Sequence, residues 1–205
     1  MRILILIVAA LWLAGCASTS GPAVEARRSE VLLQLDNGRC DEELSGRVQS
    51  LREPDLLLQA AWVCVQQMQT DAAEGLLKTY TASSRQTAHA DYAAYLQAVT
   101  SLLRFQLAGE DDRQRLVLGR EAHQRYAAFV REYPLSAYRQ DAANHLQQLH
   151  DAMAAAEYRL ARLALETGRA DEGQQRLRYL QREYPRSPAA ADANVLLQQL
   201  QGLGR

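Results

Sequence analysis

The stretch QRYAAFVREYPLSAYRQDAANHLQQL, residues 124–149, returns 51 residues later as QRLRYLQREYPRSPAAADANVLLQQL, residues 175–200, with 13 of 26 positions identical. Repetition at a fixed offset marks a stacked-repeat architecture, because each unit is one supersecondary motif whose apolar face needs a neighbour to cover it. Within the first copy Tyr126, Phe129, Val130 and Tyr133 fall at i, i+3, i+4, i+7, one apolar stripe of a helix. Pro134 and Pro185 stop that helix, since proline has no amide hydrogen and collides with the preceding turn. Ser136 and Ser187 then stand where an N-cap belongs, and Pro188 suits the first helical position. A second apolar face follows: Tyr138, Ala142, Leu146 and Leu149, or Ala189, Ala193, Leu196, Leu197 and Leu200. Each copy therefore reads as helix, proline turn, helix.

Working outward, the same alternation covers the chain. Helices are expected over 25–35, 40–51, 55–69, from Asp71 to Tyr80, and over 86–107, 114–132, 136–167, 170–184 and 187–201. Asp36-Asn37-Gly38 and Gly109 to Asp112 are the turn signals between them. Asp71-Ala-Ala-Glu74 has the spacing of a capping box. No strand pattern occurs, so the expected class is all-α, a solenoid of stacked antiparallel helix pairs. The 205 residues are 48% apolar, enough for a packed core, and the formal net charge of −1 argues against a nucleic-acid partner. Lys78 is the only lysine among 23 cationic residues.

The first residues carry a different signal. Arg2 precedes an apolar run from Ile3 to Leu13, a signal-peptide core too short to span a bilayer. It ends in Leu13-Ala14-Gly15-Cys16, which resembles a bacterial lipobox, with Cys16 the acylated (palmitate-bearing) N-terminus of the mature chain. Acyl chains on one cysteine bury many methylenes and together make a stable anchor. Ala17 rather than aspartate follows, which by resemblance to sorted lipoproteins favours the outer membrane, facing the periplasm. The expected division is 1–15 signal peptide, 16–24 lipidated cysteine and tether, 25–107 degenerate N-terminal repeats, and 108–205 C-terminal repeats. Cys40 and Cys64 are the remaining cysteines. In an oxidising compartment such a pair reads as a disulfide, although Cys64, in the run Ala60-Ala-Trp-Val-Cys-Val65, also reads as a plain core residue.

No catalytic constellation stands out. His145 and His150 are five apart and lie on different helix faces, and the sequence has no Gly-x-Ser-x-Gly elbow and no phosphate-binding loop. Acidic pairs such as Asp111-Asp112 and Asp171-Glu172 fall at expected helix starts, where the helix dipole accounts for them. Tyr126, Tyr133, Tyr138, Tyr158, Tyr179 and Tyr184 are core by spacing, with room for one or two as interface anchors. The expectation is no metal, no cofactor and no enzymatic activity.

Residues 157–185 resemble the tetratricopeptide repeat: small Ala161, turn Gly168, Gly173 where alanine is usual, then Leu177, Leu180 and Pro185. Residues 55–80 resemble a worn copy that keeps Ala61, Ala73, Leu77 and Tyr80 without the turn glycine. The lipobox, the Tyr-Pro-x-Ser closures and the segment Ala90-Asp91-Tyr92-Ala93-x-Tyr95-Leu96-x-Ala98-Val99-Thr100 together resemble the BamD/ComL family of tetratricopeptide lipoproteins. That resemblance implies a non-enzymatic adaptor in outer-membrane β-barrel assembly, with the barrel insertase and unfolded outer-membrane proteins as partners. It also implies a docking role for Arg176, eight residues before Tyr184. Two departures stand out: Ser50 to Pro54 replaces a Tyr-Pro turn in the first repeat, and only Ala108 to Arg113 fills the place of a longer insertion. A tetratricopeptide scaffold of another envelope machine, a secretin pilotin or a peptidoglycan-linked coordinator, has the same fold and anchor.

Overall fold

The protein is described here by a computed structural model covering residues 21–83 and 89–203. Cys16, the signal peptide and residues 86–88 at the start of the expected fifth helix lie outside the described residues. Nine helices and no strand are present among those described: α1 Pro22–Asp36, α2 Glu42–Leu51, α3 Pro54–Gln66, α4 Thr70–Ser83, α5 Ala90–Leu107, α6 Asp112–Glu132, α7 Arg139–Glu166, α8 Ala170–Glu183 and α9 Pro188–Leu203. Each helix packs on the next, and α1 on α3, α2 on α4, α3 on α5 and α7 on α9. The chain is an all-α solenoid of the tetratricopeptide type.

Two apolar clusters meet at α5. Val31, Leu44, Val48, Leu57, Leu76 and Leu77 centre the first, to which α5 gives Ala93 and Leu96. Tyr126, Phe129, Leu149, Leu177 and Leu180 centre the second, to which α5 gives Ala98, Leu102 and Phe105. Tyr95 and Val99 border both. At 28 residues α7 is the longest helix, about 42 Å at 1.5 Å per residue, and it touches α6, α8 and α9. The two copies of the repeat thus lie side by side, with α7 as the shared wall.

Local chemistry explains the boundaries. Asp41 caps α2 by accepting from the Leu44 amide at 2.8 Å, and Asp111 caps α6 by accepting from Arg113 and Gln114 at 3.0 and 3.1 Å. Pro22 and Pro54 sit in the first turns of α1 and α3. The helix at α1 therefore starts inside the expected tether, because Gly21-Pro22 favours initiation. Gly168 ends α7 at φ +77, where the Arg169 amide reaches back to the Ala164 carbonyl at 2.8 Å. One hundred residues earlier Met68 adopts the same left-handed conformation, φ +58, with Gln69 reaching Cys64 at 2.9 Å. The worn repeat keeps the turn and strains a methionine to make it.

Two expectations are corrected. The carboxylates of Asp71 and Glu74 do not form a capping box: α4 begins at Thr70, and both pair with Arg104 of α5. Ser136 does not cap α7, which starts at Arg139. Its hydroxyl accepts from the Tyr138 amide at 3.3 Å and donates to Asp91 at the start of α5 at 2.6 Å. Ser187 does cap α9, accepting from the Ala190 amide at 3.2 Å. Cys40, between α1 and α2, is joined by a disulfide to Cys64 near the end of α3, their Cα atoms 5.1 Å apart. Cys64 is also buried in the N-terminal cluster.

Candidate protein-docking surface

Arg176 lies on α8 where that helix crosses α7. Its Nη1 donates to Glu157 Oε2 at 2.8 Å and its Nε to Glu172 Oε1 at 3.2 Å. Glu157 projects from α7 with its side chain only 7% exposed, whereas that of Arg176 is 29% exposed. A carboxylate so far from water needs a cation, and Arg176 supplies it while keeping an edge at the surface. The Arg176 hydrogen bond holds the Glu172 carboxyl below its usual range, with Arg169, 2.7 Å from the other oxygen, adding to the effect.

Most of the tyrosines serve the core. Tyr126 is fully buried and Tyr184 nearly so, and burial pushes the Tyr184 phenol up to about 12. Burial, followed by the hydrogen bond to Asp141, raises the Tyr95 phenol as well. Tyr95 and Tyr138 stack at 4.8 Å, and Tyr92 tilts onto Tyr138 at 5.2 Å, which knits the first proline turn to α5. His145 lies 3.3 Å from Asp141 of its own helix, whereas His150 packs against the Tyr184 ring at 4.8 Å. No group of three or more metal-ligating side chains exists among the described residues.

The surface the solenoid leaves open has three features. Leu163 on α7 and Val195 on α9 are exposed. Leu135, at the tip of the first proline turn, is 97% exposed. Two adjoining clefts of about 360 and 230 Å³ open between α6, α7 and the end of α8, and both are lined by His123 and His150. Sequence reading singles out Arg176 but not the cleft: Arg120 and His123 sit one turn apart on α6, whereas Arg186 lies between α8 and α9, with no fixed spacing to link them. No described helix is long and apolar enough to cross a membrane.

The helices, packed each on the next with paired charges at the α7–α8 crossing, form a solenoid of the tetratricopeptide class. The family YfiO, outer membrane lipoprotein, matches residues 48–203, from the middle of α2 to the end of α9, and the chain belongs to that family. No curated protein matches the chain. The disulfide bonds Cys40, before the matched region, to Cys64 within it.

Proposed function

We propose that the protein is a non-enzymatic adaptor in outer-membrane β-barrel assembly, held by lipid on Cys16 and facing the periplasm. The family match across the whole C-terminal solenoid carries this reading. From Cys16 to Pro22 the chain has six links (22 − 16), so α1 begins within about 22 Å of the anchored residue. The helices hang below the bilayer as a scaffold, and the C-terminal end, with Arg176 at the α7–α8 crossing, takes the periplasmic part of the barrel insertase. Arg176 reaches such a partner only through its exposed edge, since Glu157 and Glu172 hold the rest.

Affinity purification from detergent-solubilised envelope tests the reading. Recovery of the barrel insertase is the expected result. Recovery of a secretin, or of peptidoglycan-linked proteins without the insertase, transfers the scaffold to another envelope machine and removes this proposal. In the same preparation Cys16→Ser should move the protein from the membrane to the soluble fraction.

A further inference from the structure

The two adjoining clefts between α6, α7 and the α8–α9 turn share a wall and differ at their ends. The larger is floored by Ala127, Ala143 and Leu146 and closed by Pro185 and Arg186; the smaller is floored by Met153 and closed by Arg120, Tyr179 and Tyr184. His123 of α6 and His150 of α7 line both, so a cation stands at each end and two imidazoles in the middle. Two acidic groups lie nearby, and Asp151 keeps one oxygen, Oδ1, without a hydrogen-bond partner. Glu183 accepts from Arg182 Nε at 2.7 Å, and Asp151 accepts from Gln147 at 3.1 Å and lies 3.8 Å from His150. Arg120 and Arg186 enter no ion pair among the described residues. Gln124 and Gln147 stand on the rims, donors and acceptors of the kind that pair with a peptide backbone.

We propose that this double cleft binds an extended acidic segment of a partner protein, seating an apolar side chain in each half and placing its carboxylates against Arg120, Arg186 and the imidazoles. Each half has room for at least one large side chain, and the apolar floor with cationic ends suits a strand that alternates apolar and acidic residues. A lipid headgroup would leave the floor uncovered. The site depends on the adaptor reading only in taking a protein segment as its natural ligand.

The cleft is also pH-sensitive. Burial lowers the His123 pKa from its ordinary value, and the charge of His150 adds to the effect. The other charged and titratable groups facing the pair are Arg120 on α6, Asp151 on α7, Tyr179 and Glu183 on α8, and Tyr184 and Arg186 in the turn. A bound carboxylate favours the protonated imidazole, so binding takes up protons and tightens as pH falls.

The test uses the soluble full-length chain carrying Cys16→Ser and a short fluorescein-labelled peptide of alternating glutamate and leucine, read by fluorescence anisotropy. A glutamine-for-glutamate peptide is the neutral control, and vesicles containing phosphatidylglycerol are the lipid control. The glutamate peptide should bind, bind more tightly at about pH 5.5 than at about pH 8, and weaken about tenfold with Arg186→Glu, the loss of one charge-assisted contact. Arg186 is exposed, so that variant keeps its fold, verified by an unchanged unfolding midpoint. The double change His123→Gln with His150→Gln should abolish the pH dependence. Equal binding of the neutral peptide, an unaltered affinity in Arg186→Glu, or binding to the vesicles alone overturns the proposal. None of these results bears on recovery of the insertase from envelopes, so the two readings fail separately.

Discussion

Arg125 and Arg176 occupy the same place in the two copies of the repeat, 51 residues apart, and each pairs with a glutamate one turn earlier on its own helix. Arg125 meets Glu121 at 2.9 Å and Arg176 meets Glu172 at 3.2 Å. Each also crosses to a glutamate on a neighbouring helix, Arg125 to Glu74 at 3.2 Å and Arg176 to Glu157 at 2.8 Å. There the likeness ends. Glu74 is 33% exposed and has Arg104 as a second cation, whereas Glu157 is enclosed and relies on Arg176. The same local motif is a redundant surface network in one layer and a necessary ion pair in the next. What surrounds the motif, not the motif itself, sets its worth.

The largest effects follow from that contrast. Arg176→Ala leaves Glu157 charged and enclosed, and should cost about 2–3 kcal/mol, discounted from a fully buried pair because the arginine edge is wet. Arg125→Ala should cost about 1 kcal/mol or less, since Arg104 still holds Glu74. Urea unfolding of the two variants reads the difference directly; equal losses would mean that Glu157 is hydrated and the contrast false. The same measurement guards the docking reading, because Arg176→Ala weakens any partner contact and the fold together. Glu157→Gln together with Arg176→Ala restores the fold without restoring the docking charge.

Next in size is a pair of small residues. Ala122 in the first copy is fully buried, and its counterpart in the second is Gly173. A methyl added at Gly173 would stand 2.5 Å from Leu165 Cγ and 3.0 Å from the Ala161 carbonyl, so α7 and α8 leave no room for it unless Leu165 shifts. Gly173→Ala should therefore destabilise by about 1–2 kcal/mol, even though alanine is the better helix former. A gain in stability would show that Leu165 moves aside freely. Smaller again are the two serines. Ser187→Ala removes a buried cap and should cost about 1 kcal/mol, Ser136→Ala about half that, since Ser136 holds a turn rather than a helix end.

Much of this architecture was legible because proline, glycine and apolar spacing act locally. The duplicated Tyr-Pro-x-Ser turns, the long α7 and the glycine at 168 all follow from backbone chemistry within a few residues. Ser136 was misread because its capping role is decided elsewhere: Asp91, 45 residues earlier, draws its hydroxyl across to α5, and no proline follows to fix the first helical turn. Asp71 and Glu74 were misread for a similar reason, since Arg104 on the next helix competes for them. Arg125 was within reach, because the 51-residue match extends upstream to Glu121 and Glu172. The double cleft was not, since α6, α7 and the α8–α9 turn contribute to it from distant positions and only packing brings them together.

The smallest effect separates the copies by acidity. His123 has Gln174 as its counterpart, so the first copy titrates at a position where the second does not. Burial keeps the His123 imidazole below its ordinary pKa of about 6.5, with His150 adding to the shift. As pH falls the unfolded chain takes up this proton first, so stability declines from about pH 6.5 down to the lowered folded value and then levels off. His123→Gln should leave the urea midpoint unchanged at pH above about 7.5 and raise it relative to the parent chain at about pH 5.5. Arg120, Asp151, Glu183, Arg186 and His150 are the same in both proteins, so the difference between the two curves isolates position 123. Curves that stay parallel across that range would show that His123 is solvated well enough to titrate as it does in the unfolded chain, and that the two copies respond alike to acid.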